Sequence, residues 1–96
     1  MLPKKYIAEA IGTFALSFIV LSAVGFGGVL PVAVPVIAAL TLCLFVYTIG
    51  PISGSHINPA VTLGLLSIKK ISNKDAIAYI GAQILGALCA VMLAKV

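Results

Sequence analysis

The sequence predicts an all-α membrane protein: three transmembrane helices plus one re-entrant loop that carries a half-membrane helix. Three observations lead there. Of 96 residues, 62% are hydrophobic, and the mean hydropathy is +1.29. A soluble chain this short buries too small a share of its surface to hide so much apolar area. No Asp, Glu, Lys or Arg falls between Glu9 and Lys69, a run that holds two spans of about 20 residues each with a piece left over. That piece, Gly50 to Gly64 (G-P-I-S-G-S-H-I-N-P-A-V-T-L-G), contains two Pro, three Gly, one His and one Asn. It is uncharged, yet too rich in turn residues for a third full span. It fits non-helical backbone at membrane depth, which persists only where protein buries it or a water-filled cavity meets it. The expected organisation is one domain over residues 1–96.

Span one is expected at 4–25. The opening M-L-P-K-K resembles a signal-peptide start, but the apolar stretch behind it is too long and Glu9 interrupts it, so the span is read as retained. Ala8 and Gly12 form a small-residue pair that lets another helix approach closely. Glu9 lies one turn inside the apolar region. It is either an interfacial carboxylate beside Lys4 and Lys5 or a buried acceptor for the N–H groups of the irregular loop; intramembrane carboxylates are costly, which favours the second reading. Residues 25–31 form a short turn.

Span two is expected at 31–49, with Pro31 at its first position and Pro35 in its second turn, bending it slightly. Thr41 and Thr48 are expected to bond back to their own helix. The re-entrant unit occupies 50–67. Pro51 and Gly54 are expected to exclude helix across 51–57. Asn58 then suits an N-cap and Pro59 the first helical position, with a short apolar helix continuing to Ser67. Nine residues reach about 13.5 Å, against a hydrocarbon core of about 30 Å. The helix therefore stops midway, and its free N–H groups and positive dipole end sit near the midplane. This makes the stretch a pore element.

Lys69, Lys70, Lys74 and Asp75 mark a connector at the membrane surface, where Ser72 and Asp75 have capping-box spacing. Span three is expected at 74–93. Ala78, Ala82, Gly86 and Ala90 recur every four residues as a narrow packing face. Gln83 beside them serves either a helix–helix hydrogen bond or a brace for the loop. Cys43 and Cys89 lack metal or redox spacing and read as core thiols. Lys4, Lys5, Lys69, Lys70 and Lys74 fall on one side and Lys95 on the other, which places the N-terminus in the cytoplasm, the C-terminus outside, and the loop's entry on the cytoplasmic face.

Other chemistries are weak. The net charge of +4 comes from too few charges to indicate a nucleic-acid partner. His56 has no second ligand nearby in sequence, so no metal and no cofactor are expected. Adjacent Ser55 and His56 without a third group do not make a nucleophile–base pair, so no enzyme is expected.

The residues S-G-S-H-I-N-P-A-V-T at Ser53 to Thr62 resemble the first asparagine-proline-alanine box of the aquaporin and glycerol-facilitator family. A-E-A-I-G-T-F at Ala8 to Phe14 and A-Q-I-L-G-A at Ala82 to Ala87 extend the likeness over essentially the whole chain, in order. The resemblance implies one inverted-repeat half of that fold. It implies that the Asn58 side chain donates to the permeating molecule, beside Pro59 and Ala60. It further implies that the carbonyls of Gly54, Ser55 and His56 form an acceptor ladder, and that Glu9 and Gln83 hold the loop. His56 is then mainly scaffolding. Ala38 falls at the narrow filter, where alanine implies a wider constriction that passes small polyols or urea as well as water. The family carries a filter arginine after its second box; the corresponding place here is Val61, and the chain has no Arg.

One half implies a second. The expected partners are the lipid bilayer and another half-channel: an inverted copy, which makes a homo-oligomer, or a separate second-half chain, or a further part of a longer protein. Self-pairing is favoured, although the lysine imbalance opposes free dual insertion. The expected function is passive conduction of water and small neutral solutes such as glycerol, in the cytoplasmic membrane. The alternatives are a non-conducting subunit of a larger channel and a proton-coupled exporter like the small multidrug resistance proteins, which have four full spans and no re-entrant box.

Overall fold

In a computed structural model, residues 3–26 and 33–94 are described. They form four helices: α1 (Lys4–Phe26), α2 (Val34–Ser53), α3 (Pro59–Ser67) and α4 (Asn73–Ala94), with no strand among the described residues. α1, α2 and α4 are long and apolar enough to cross a membrane. The expected turn at 25–31 and the roles of Pro31 and Lys95 lie mainly or wholly outside the described residues. α1 is the central helix, packed against α2 on one side and α4 on the other, and α3 rests on α4.

The bundle is inverted relative to a soluble protein. Glu9, Thr13, Thr41, Ser53, Ser55, His56, Thr62 and Gln83 are buried, whereas Leu40, Leu44, Ile77 and Met92 are exposed. Apolar side chains face outward because the bilayer solvates them, and polar groups face inward because lipid does not. Cys43 and Cys89 follow the same logic. Both are exposed, which corrects their expected place in the core.

Small residues let α1 and α4 touch. The buried stripe of α4 is Ala76, Tyr79, Gln83, Gly86 and Ala90, a three-four repeat of one helix face. Ala78 and Ala82, expected on the packing face with Gly86 and Ala90, lie half-buried at its margin. A methyl on Gly86 would collide with the Ala10 carbonyl oxygen and lie 3.0 Å from the Phe14 nitrogen. Gly12 is equally constrained, but what approaches it is side chains rather than a helix backbone: an added carbon would stand 2.6 Å from Ile57 Cγ2 and 3.0 Å from Ile49 Cδ1.

At one end the bundle is latched. Lys5 Nζ donates to Asp75 Oδ2 at 2.7 Å, and the Tyr6 hydroxyl donates to Asp75 Oδ1. The starts of α1 and α4 are therefore neighbours. Ser72 Oγ accepts from Asp75 N at 3.1 Å, as its capping position predicts. Asp75 does not return the bond expected of a capping box, because its carboxylate is taken by Lys5 and Tyr6.

α2 differs from expectation at both ends. Pro35 sits in its first turn rather than its second, where a missing N–H costs nothing. Pro51 lies inside the helix, which runs on to Ser53 instead of ending near Ile49. Pro51 is exposed, so its ring meets no neighbouring helix. Beyond it the last turn is sealed by Gly54 N–H donating to Gly50 O at 2.7 Å, and Gly54 stops the helix at φ 85°. Thr41 and Thr48 bond back to Ile37 O and Leu44 O.

Gly86→Ala is expected to destabilise the protein by about 1–3 kcal/mol through overpacking against α1. Gly81→Ala, where nothing lies within 4 Å, should be neutral or stabilising by up to about 1 kcal/mol. Thermal unfolding in detergent checks both.

Candidate functional site

The site is the segment from Ser53 to Thr62, and its geometry follows from where backbone donors can go. α3 begins as the sequence dictates: Asn58 is the N-cap, its Oδ1 accepts from Ala60 N at 2.8 Å, and Pro59 opens the helix. With Oδ1 committed, the Nδ2 group of exposed Asn58 is left without a partner among the described residues. Val61 N–H is likewise unclaimed there, as the first turn of a helix requires.

The preceding loop sorts its polar groups by face. Gly54 N–H goes to Gly50 O, Ser55 N–H to Ser53 Oγ at 3.1 Å, His56 N–H to Glu9 Oε2 at 3.0 Å, and Ile57 N–H to Glu9 Oε1 at 2.7 Å. Each backbone N–H from Gly54 to Ile57 is thus satisfied by protein. The carbonyls of Gly54, Ser55 and His56 receive no protein donor among the described residues. Such sorting needs unusual backbone: φ is 85° at Gly54, 52° at Ser55 and 40° at Ile57. A β-branched residue at positive φ is strained and persists only where its surroundings fix it. Ile57 is fixed from both sides, by Glu9 at its N–H and by Gly12 against its side chain.

Glu9 is completely buried and accepts four bonds. Besides the two loop amides it takes Ser53 Oγ at 2.6 Å and Gln83 Nε2 at 2.8 Å. Four donors on one carboxylate compensate the loss of its hydration. Gln83 Nε2 also donates to Thr62 Oγ1 at 3.0 Å, which lies 2.9 Å from His56 Nδ1. Tyr79 closes the circuit by donating its hydroxyl to Ser53 O at 2.7 Å, and its ring lies 4.8 Å from that of His56. Among the described residues, Gln83 Oε1, Thr13 Oγ1 and Ser55 Oγ are buried without a partner.

Glu9, Gln83, Ser55 and His56 are thereby brought together. Asn58, Ala60, Gly54 and Val61 lie on the exposed side of the same segment, and Pro59 and Ala38 are half-buried. Sequence reasoning missed Ser53, Thr62 and Tyr79. Tyr79 stands four residues before Gln83, and Thr62 four after Asn58, so helical spacing alone puts each beside a residue already singled out.

Ile57 rests on Gly12, eight residues or about 12 Å along α1, and Gln83 lies ten residues or about 15 Å along α4. From there α3 returns to the end where α1 and α4 are latched. The chain therefore enters the bundle to roughly half its length and leaves on the same side.

Three apolar spans around a half-length helix, with the intervening loop pinned by a buried carboxylate, define an integral membrane protein with a re-entrant half-helix. The chain belongs to the Major intrinsic protein family, whose signature matches residues 1–96. It is similar to aquaporin AqpM of Methanothermobacter thermautotrophicus (39% identity, over 90% of this chain and 44% of that protein). It is also similar to glycerol uptake facilitator protein-like 6 of Lactiplantibacillus plantarum (41%, over 91% and 40%) and aquaporin Z of Rhodopseudomonas palustris (44%, over 94% and 40%). The chain spans 40–44% of the length of these relatives.

Glu9→Gln is expected to turn a donor toward at least one of the four donors now held. The cost of an unsatisfied buried group is about 1–3 kcal/mol. The His56 and Ile57 amides should lose protection in hydrogen exchange by about tenfold or more, while those in the middle of α4 keep theirs.

Proposed function

We propose that this chain forms one half of a passive channel for water and small neutral solutes such as glycerol. The observation that carries the proposal is the sorted loop. Its N–H groups turn inward to Glu9 and Ser53, its carbonyls at Gly54, Ser55 and His56 stay free to accept, and Asn58 offers an uncommitted amide donor at the start of α3. A file of water or hydroxyl-bearing molecules needs such alternation of acceptors and donors to replace its hydration. The names of the relatives, aquaporins and a glycerol uptake facilitator, supply the solute class.

In this reading Glu9 and Gln83 support the loop, His56 and Thr62 brace it, and Asn58 with Pro59 and Ala60 lies near the midplane. Ala38 and Val61 border the narrow part. Small and apolar as they are, and with no arginine beside them, they give a wider constriction with weaker exclusion of ions. The spans lie in the cytoplasmic membrane with the N-terminus in the cytoplasm, because Lys4, Lys5, Lys69, Lys70 and Lys74 gather at the latched end. A second, inverted half completes the pore: a copy of this chain, a separate chain, or a further part of a longer protein. Each leaves the positive end of one half-helix facing that of the other, which opposes cations. The four bonds on Glu9 leave it no free face for a substrate, which argues against a proton-coupled exporter.

Purified protein in vesicles is expected to raise the rate of osmotic shrinkage in water or glycerol gradients above that of empty vesicles; equal rates count against conduction. Asn58→Asp keeps the cap acceptor but removes the amide donor and adds negative charge. It should lower glycerol flux by about fivefold, the equivalent of one hydrogen bond of about 1 kcal/mol, and admit more cations.

A further inference from the structure

The outer seam between α1 and α4 carries an apolar cleft that the channel reading leaves unused. Ile7, Ala10 and Ile11 of α1 and Ala78, Ala82 and Leu85 of α4 line a cleft of about 410 Å³. Ala10, Ile11 and Leu85 also line a second hollow of about 200 Å³ that continues past Phe14 to Cys89. Together they make one groove. From Ala78 to Cys89 it follows eleven residues of helix, or about 16 Å, which is close to half of the roughly 30 Å hydrocarbon core and so to the depth of one leaflet.

The mouth of the groove is basic. Lys4 stands three residues before Ile7, and Lys74 four before Ala78, so each lies one helical turn beyond the groove on its own helix face. Both are exposed, and among the described residues neither is in an ion pair; the one ion pair there, between Lys5 and Asp75, leaves these two free. Tyr6, whose ring lines the cleft, sits at the same level with its hydroxyl on Asp75. An aromatic ring with a polar tip is suited to the headgroup boundary.

We propose that this groove holds one anionic phospholipid, an acyl chain lying along Ala82 and Leu85 and the phosphate between Lys4 and Lys74. The occupant follows from the shape and the charge together. Depth matches a single leaflet, the walls are apolar and widened by small residues, and two cations stand where a headgroup would lie. A second copy of the chain would bring its own lysine-rich end against these lysines if parallel, and the inverted half proposed above belongs on the other side of α1 and α4, where Glu9 and Gln83 hold the loop. Each lysine should favour an anionic over a zwitterionic headgroup by about fivefold.

The test is independent of conduction, since it reads lipid contact and not flux. The chain has no Trp, so Leu85→Trp gives a reporter in the groove and Leu44→Trp one on the exposed face of α2. In mixed vesicles, brominated phosphatidylglycerol should quench Leu85→Trp more effectively than brominated phosphatidylcholine of the same chains, and the two lipids should quench Leu44→Trp alike. Adding Lys4→Gln and Lys74→Gln should remove the preference at Leu85→Trp while quenching itself persists. Equal quenching by the two lipids at Leu85→Trp overturns the proposal. So does an absence of quenching there, which would mean that protein covers the groove.

Discussion

A stretch of backbone that is neither helix nor strand has no partners of its own, and within a membrane no water surrounds it to supply them. In this protein one carboxylate resolves the problem. Glu9 collects the amides of His56 and Ile57, the hydroxyl of Ser53 and the amide of Gln83. Those four bonds join α1, the end of α2, the loop and α4. Removing the carboxylate would leave several buried donors without acceptors at once, so the loop's conformation and the bundle's interior are one energetic unit. The same bonds decide which way the loop's dipoles point. Because the N–H groups are held inward, the carbonyls that follow are left for something other than protein.

The backbone strain belongs to this arrangement. Ser55 and Ile57 both occupy positive φ, and neither residue type enters that region readily. Glycine at either place would relieve the strain but would enlarge the set of conformations the loop must give up on folding. At Ile57 it would also remove the side chain that fills the space above Gly12. The pairing of a bulky loop residue with a helix glycine is thus what makes the strained conformation the most closely packed one.

Much of this was legible in the sequence, for identifiable reasons. Asn58 and Pro59 specify a helix start through their own local chemistry, and α3 begins where they stand. Glu9 and Gln83 stood out because a buried carboxylate or amide in an apolar span requires a partner. Pro51 misled, since the rule against proline in helices assumes a neighbour for its ring and a need for its hydrogen bond. At an exposed position three residues before a left-handed glycine, neither condition is severe. Cys43 and Cys89 misled because burial statistics come from soluble proteins, whereas this bundle turns its apolar groups outward. Ser53, Thr62 and Tyr79 carry no mark in the sequence beyond their spacing; their importance comes from three helices meeting, which only tertiary structure displays.

The central claim is that the start of α3 and the carbonyl side of the loop face an aqueous path while Glu9 faces protein. Thiol accessibility tests it most directly. With Cys43 and Cys89 replaced by Ser, Val61→Cys in intact vesicles should react with a membrane-impermeant thiol reagent and lose solute flux as it does so, whereas Leu44→Cys on α2 should stay unreactive. If Val61→Cys is as inert as Leu44→Cys in vesicles yet reacts once the lipid is removed, the half-helix lies against lipid or protein and the account is wrong.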